Sequence, residues 1–173
     1  DELKVPVGEF VDAMDAEVKK GRIRGPFGGS NWTKARFDEA IAYADKHGLK
    51  PRGKIVAYVN CGDDPTLMLN APVPAAKKVL AKAGLKVEDI DVFEINEAFA
   101  VVAEKFIRDL NLDRTKVNPN GGAMALGHPI GATGSMLIGT ALDELERIGG
   151  KYGLITMCAA GGMAPAIVIE RLD

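Results

Sequence analysis

Seventeen residues, Asn118–Gly134, constrain this chain more than any other stretch: five glycines surround one histidine, His128, which is followed by Pro129. Glycine loses more conformational freedom on ordering than any other residue, so a run this rich in it reads as a loop. Ser135–Leu145 then carries apolar residues at helical spacing. A glycine loop that feeds a helix N-terminus lets backbone N–H groups approach a ligand and presents the positive end of the helix dipole. A histidine held there is placed to donate to a developing oxyanion or to move a proton. The plain alternative is a tight turn with a structural imidazole.

Two further segments bear on that choice. Asp91–Ala100 is an apolar run that turns into a helix at Asn96, a good N-cap residue. Tyr152–Met157 reads as a buried strand that delivers Cys158 to the turn Ala159–Gly162, and Ala164–Glu170 returns as another strand. Singly, Asn96 is explained as a cap and Cys158 as a small buried hydrophobe.

The rest of the chain supplies the frame. Helices are predicted over Val5–Val18, Lys34–His47 (stopped by Gly48), Pro74–Ala83 (opened by proline, closed by Gly84), Glu97–Leu110 and Gly134–Ile148. Strands are predicted over Lys54–Asn60, Ile90–Ile95 and, briefly, Lys116–Asn118; Gly25–Ser30 is loop. Helices and strands alternate until the last two strands, which are close enough to pair as a hairpin. The expected fold is α/β, a mixed sheet covered by helices.

Composition narrows the function classes. The 173 residues are 47% hydrophobic and 27% charged, as in one soluble globular domain. A net charge of −2 gives no electrostatic reason to bind nucleic acid or an anionic membrane. Cys61 and Cys158 are the only cysteines and sit in unlike contexts, which points to a reducing compartment and no disulfide framework. Two histidines without closely spaced cysteines exclude a structural zinc site. No apolar stretch reaches the ~18 residues of a membrane span. No signal or transit segment is visible, but the chain begins at Asp1, so a missing N-terminal part is expected.

Taken together, the motifs are Asn96-Glu97-Ala98-Phe99, Gly127-His128-Pro129-x-Gly131 and Cys158-x-x-Gly161-Gly162, in that order. Over about residues 36–173, including Gly84–Asp91 and Ile148–Gly153, the chain resembles the C-terminal half of a thiolase, the acyl-CoA acyltransferase family. On that resemblance residues 34–173 are a thiolase C-terminal domain, and 1–33 are a linker or a remnant of the preceding region. Two such halves pack in thiolases into an α-β-α-β-α molecule.

The resemblance also implies roles. Cys158 matches the acid/base cysteine, whose thiol titrates close enough to neutrality to move the α-proton. His128 matches the oxyanion-hole histidine, and Asn96 the residue that holds a water beside it. Gly161 and Gly162 let the chain turn behind Cys158 and count among the substrate- or CoA-binding positions. Ala98, Phe99 and Gly127 fall where the pantetheine arm or acyl chain would bind, although Phe99 also fits as plain core. Coenzyme A or acyl-CoA is implied as substrate, with no permanently bound cofactor; the basic cluster Lys19–Arg24 is a solvated face or linker, or could meet a CoA phosphate. Further implications are a homo- or hetero-oligomer, and a cytoplasmic location in a bacterium or a mitochondrial or peroxisomal one in a eukaryote. The form Cys158–Ala166 looks closer to the 3-ketoacyl-CoA thiolases of fatty-acid degradation than to the biosynthetic type.

The pattern departs in places. Ala160 stands where many thiolases have glycine, which changes local shape while leaving a backbone N–H. The acylated nucleophile belongs to the N-terminal half, so activity is expected only with that half or with a partner chain that carries it. Cys61 is a poor substitute, because Asp63 and Asp64 follow it and adjacent carboxylates disfavour a thiolate. Phe27–Thr33 does not resemble the small-apolar strand expected before Lys34. A non-catalytic acyl-CoA-binding or scaffold subunit of the same fold is the alternative, against which stands the retention of Asn96, His128 and Cys158 together. A nucleotide-binding module is disfavoured, because Gly127, Gly131 and Gly134 lack both phosphate-loop and dinucleotide spacing.

Overall fold

Two helices open the chain, and each is bounded by a residue that sets its end. The computed structural model describes residues 6–21 and 34–172, the side chain of Phe37 excepted. The predicted loop Gly25–Ser30, the segment Phe27–Thr33, the start of the first helix at Val5 and the basic cluster beyond Gly21 lie outside the described residues. Residues 1–51 and 52–173 form separate compact units. In the first, α1 (Val7–Lys19) follows Pro6, and α2 (Lys34–Lys46) leads to Gly48, whose φ of +63° a residue with a side chain rarely adopts. The pair is tied by the Val7 N–H donating to Glu39 Oε1 (2.6 Å) and the Tyr43 hydroxyl donating to Asp12 Oδ1 (2.9 Å).

The second unit is α/β, as the alternation of elements predicts. Its elements are β1 (Gly53–Gly62), α3 (Pro72–Ala83), β2 (Val92–Ile95), α4 (Ala100–Asp109), the single turn α5 (Ala123–Leu126), α6 (Thr133–Ile148), β3 (Tyr152–Thr156) and β4 (Met163–Arg171). The sheet runs β1-β4-β3-β2, with β2 and β3 parallel and the other pairs antiparallel. The last two strands pair as expected, Thr156 opposite Ala166 and Tyr152 opposite Glu170.

Side-chain alternation gives the sheet two buried faces. Phe93, Ile95, Leu154, Ala164, Ala166 and Val168 pack with Val79 and Leu80 of α3 and Val102 and Phe106 of α4. Val92, Ile155 and Ile169 turn the other way, onto Leu137, Ala141 and Leu145 of α6. Each large aliphatic buried this way contributes roughly 1.5–3 kcal/mol. On β2, Glu94 and Asn96 share the parity of Val92 and so turn to the α6 face with it.

Several predicted boundaries shift by a residue or two, and three changes bear on the site or its frame. The proline that opens α3 is Pro72, two residues before Pro74. Asn96 caps no helix: α4 starts at Ala100, its N-cap position is Phe99, and no side chain caps it. The cause is sheet pairing, since the Asn96 N–H donates to Thr156 O (3.0 Å) and carries the β2–β3 ladder one residue further. Lys116–Asn118 is not a strand. Asp113 accepts from the Thr115 N–H and bends Arg114–Lys116 into a 3-10 turn, leaving Val117 as a single parallel bridge to Phe93.

Candidate active site

Three chain segments run the same way and end at one edge of the sheet. β2 and β3 are parallel neighbours with Ile95 opposite Thr156, so Asn96 and Met157-Cys158 leave adjacent strand ends. Val117 bridges Phe93 on the other side of β2, and the Asn118 N–H donates to Phe93 O (2.9 Å). The Asn118 side chain then prolongs the pairing: its Oδ1 accepts from the Ile95 N–H (2.8 Å) and its Nδ2 donates to Ile95 O (2.9 Å). The glycine loop therefore starts where Asn96 and Cys158 stand. In open α/β sheets the crevice beyond the carboxyl ends of parallel strands is the usual place for a ligand.

The loop is fastened at three further points. Glu97 accepts from Asn118 Nδ2 (3.0 Å) and from the Met124 N–H (3.1 Å). Asn120 Nδ2 donates to Glu144 Oε2 on α6 (3.0 Å). Glu144 is buried, and hydrogen bonds from Arg147 and then Asn120 hold its carboxyl down at about 2. A Cβ at Gly122 would lie 2.2 Å from the Glu97 carboxyl carbon, so any larger residue there has to displace the Glu97 side chain. The Glu97 clamp closes only over a bare backbone.

At the far end of the loop stands His128. Its Nδ1 is 2.7 Å from Thr133 Oγ1, and its Nε2 is 3.3 Å from Asn96 Nδ2. Thr133 Oγ1 also lies 3.0 Å from Pro129 O. Two oxygens at that separation need a proton between them, and only the threonine hydroxyl has one. Thr133 therefore donates to Pro129 O and accepts from the Nδ1–H of His128. The neutral ring then carries its lone pair on Nε2, which the Asn96 N–H meets. Asn96 and Thr133 are buried while His128 is exposed, so a rigid frame holds an open imidazole edge.

Cys158 is 8% exposed, and burial pushes its thiol pKa up, with a hydrogen bond from its own backbone N–H working the other way. Its turn folds back through Gly161 (φ +75°) and Gly162 (φ +76°). Gly162 is doubly required: a Cβ would stand 2.8 Å from Asp64 O and 2.9 Å from Asp63 O. Ala160 is exposed in that turn. Ala98 packs on the core, whereas Phe99 is 59% exposed, which removes its reading as plain core. Gly127 is exposed with φ +93°. Cys61 lies at the end of the edge strand β1 opposite Ala164, and its Sγ donates weakly to Gly62 O at 3.5 Å. A groove of about 370 Å³ bounded by Glu97, Val101, Arg114 and Met124 has neither His128 nor Cys158 in its walls.

Residues 49–171 match the family model for the thiolase C-terminal domain. The chain belongs to the thiolase family. This thiolase domain is 55% identical over 126 residues to a steroid 3-ketoacyl-CoA thiolase of Mycobacterium tuberculosis, covering 73% of the chain and 31% of that protein. It is 46% identical over 160 residues to a beta-ketoadipyl-CoA thiolase of Acinetobacter baylyi, covering 91% of the chain and 39% of that protein. A human mitochondrial 3-ketoacyl-CoA thiolase solved in complex with CoA superposes with a TM-score of 0.72 at 43% identity, over 76% of this chain and 34% of that one. The thiolase domain thus spans between three and four tenths of the length of these relatives.

Sequence reasoning missed Thr133, Glu97, Asn118 and Glu94. Only Asn118 left a trace, as an asparagine at the mouth of the loop, where it takes a left-handed conformation (φ +47°) that few other residues tolerate. Among the described residues no cluster of His, Cys, Asp and Glu could hold a metal ion, and no helix is long and apolar enough to cross a membrane.

Proposed function

We propose that this thiolase domain supplies the proton-transfer and oxyanion-binding half of an acyl-CoA acyltransferase site, which cleaves a 3-ketoacyl-CoA by thiolysis or runs the reverse condensation. The observation that supports it most is the Asn96–His128–Thr133 hydrogen-bonded chain at the strand ends that also deliver Cys158.

Cys158 moves the α-proton. Its raised pKa keeps the thiol protonated at neutral pH, the form that protonates the enolate carbon released during thiolysis. In condensation the thiolate formed in that step takes the proton back, and the enolate attacks the acyl group held as a thioester elsewhere. His128 is the oxyanion-hole residue, its ring edge turned to the open side, and Asn96, hydrogen-bonded beside it, holds a water that completes the hole.

The thioester-forming nucleophile comes from an N-terminal thiolase half or a partner chain. Cys61, half-buried on an edge strand and followed by Asp63 and Asp64, is unsuited to it. Acyl-CoA is the substrate, and the relatives' names favour 3-ketoacyl chains. A reducing compartment, cytoplasmic or organellar, suits two free cysteines, and assembly as an oligomer belongs to the same reading.

The test compares His128→Ala and His128→Asn with the parent in protein that includes the nucleophile-bearing half. Removing one preorganised donor lowers turnover by on the order of 10²–10³ and leaves CoA affinity nearly unchanged, and asparagine recovers part of the loss. Unchanged turnover at saturation with weakened affinity would place His128 in ground-state binding and sink the mechanism. Turnover by the 173-residue chain alone, with acyl label on Cys61, would remove the need for a second half.

A further inference from the structure

Glu94 and Asn96, two buried polar residues on the α6 face of the sheet, line one small cavity. Glu94 Oε1 and Asn96 Oδ1 are both fully buried, and neither has a hydrogen-bond partner among the described residues. Both residues line a cavity of about 20 Å³, whose other walls include Gly122, Leu137 and Thr140. That volume exceeds the roughly 10–15 Å³ that one water needs. The chemistry of the pair also selects the occupant. An amide oxygen is only an acceptor, and a protonated carboxyl has a single O–H, so the pair together lacks donors for its acceptor oxygens; a water with two protons can serve both. Buried polar groups in folded proteins are almost always partnered, by protein or by ordered water.

We propose that this cavity is a bound-water site, and that Glu94 acts through that water as a positioning residue that holds the Asn96 amide with Nδ2 toward His128, from the side opposite Thr133. With the water donating to Asn96 Oδ1 on one side, Nδ2 is the end left for His128 Nε2, 3.3 Å away. Without it, the amide is restrained only by the His128 ring, whose Nδ1–H form asks for Nδ2, and a turn of the group by half a revolution would set an acceptor against the imidazole lone pair and favour the other tautomer. The water would thus extend the directional chain Glu94–water–Asn96–His128–Thr133, in which each group's role is set by its neighbour. Glu94 shares the sheet parity that turns Asn96 to α6, so the linkage follows from β2 placing residues two apart on one face. Its consequence for catalysis rests on the reading of His128 and Asn96 as the oxyanion pair; the water site does not.

The test has two readouts that require no turnover. A crystal structure of the protein carrying this chain, at a resolution that orders internal waters, should show density within hydrogen-bonding distance of both Glu94 Oε1 and Asn96 Oδ1. The second is 15N NMR of the imidazole rings. The chain has two histidines, His47 and His128, and a His47→Gln background leaves one ring to follow. The parent and Glu94→Gln, which keeps a polar group for the water, should both show the Nδ1–H form. Glu94→Leu, close in size and apolar, should raise the Nε2–protonated population about fivefold or more, the response to losing one hydrogen bond. A cavity free of density overturns the water site. Ring signals in Glu94→Leu identical to the parent, or Glu94→Gln as disruptive as leucine, overturn the positioning role. Should Glu94→Leu fail to fold, the density and the Glu94→Gln ring signals still decide.

Discussion

Thr133 Oγ1 stands 2.7 Å from His128 Nδ1 and donates its own hydrogen bond to Pro129 O, 3.0 Å away. The threonine thereby fixes the tautomer of a ring whose other nitrogen faces the substrate side. Thr133→Val keeps the shape and removes the acceptor, so the ring should no longer hold its proton on Nδ1. Loss of one hydrogen bond of this kind corresponds to about a tenfold drop in turnover, with Thr133→Ser restoring it. Ring 15N shifts and kcat of the complete enzyme check this; a valine variant with the parent tautomer and parent kcat would refute it.

The glycine loop depends on Glu97 closing over a position without a side chain. A Cβ at Gly122 would sit 2.2 Å from the Glu97 carboxyl carbon, so Gly122→Ala has to open the clamp. Overpacking of this sort costs about 1–3 kcal/mol. The expected outcome is a lowered Tm, partly recovered in the double variant Gly122→Ala with Glu97→Ala. Additive losses in the double variant would show that the two residues do not share the contact.

Burial, with Glu97 and Glu144 adding to it, pushes the Glu94 carboxyl up to about 8. An acid whose pKa is higher folded than unfolded binds more protons in the native state, so its contribution favours folding at low pH. That contribution is complete below the unfolded carboxylate range and is lost as pH rises from there through about 8. Between pH 5 and pH 9 the parent should lose stability on the order of 4 kcal/mol relative to Glu94→Gln. Urea unfolding of both proteins at the two pH values measures the difference. Parallel pH profiles would mean that Glu94 ionises in the folded protein as readily as in the unfolded chain.

In the complete enzyme, Cys158→Ala should abolish carbon–carbon bond formation while the nucleophile elsewhere still becomes acylated. Cys158 is assigned the α-proton and takes no part in the attack. Intact mass after incubation with acetyl-CoA reports the acyl-enzyme, and a condensation assay reports the bond. An alanine variant that cannot be acylated would merge the two roles.

The motifs Asn96–Phe99, Gly127–Gly131 and Cys158–Gly162 were legible in the sequence, and with them the family. So was the α/β alternation, because burial on one face or two writes itself into the spacing of apolar residues. Left-handed stops such as Gly48 and Gly84 were equally plain, since few other residues take those angles at low cost. Local sequence misjudged Asn96, which has the chemistry of a cap but is claimed by strand pairing with Thr156, sixty residues away. Pairing partners at that distance leave no local signature. The same holds for Glu94, an ionisable residue in a buried strand, and for the Thr133 hydroxyl at the mouth of α6. Sequence determined which reactive side chains the chain carries and the order in which its elements deliver them. Tertiary structure decided which nitrogen of His128 faces outward, because that depends on hydrogen bonds made by groups the chain brings together only when the sheet and α6 close on each other.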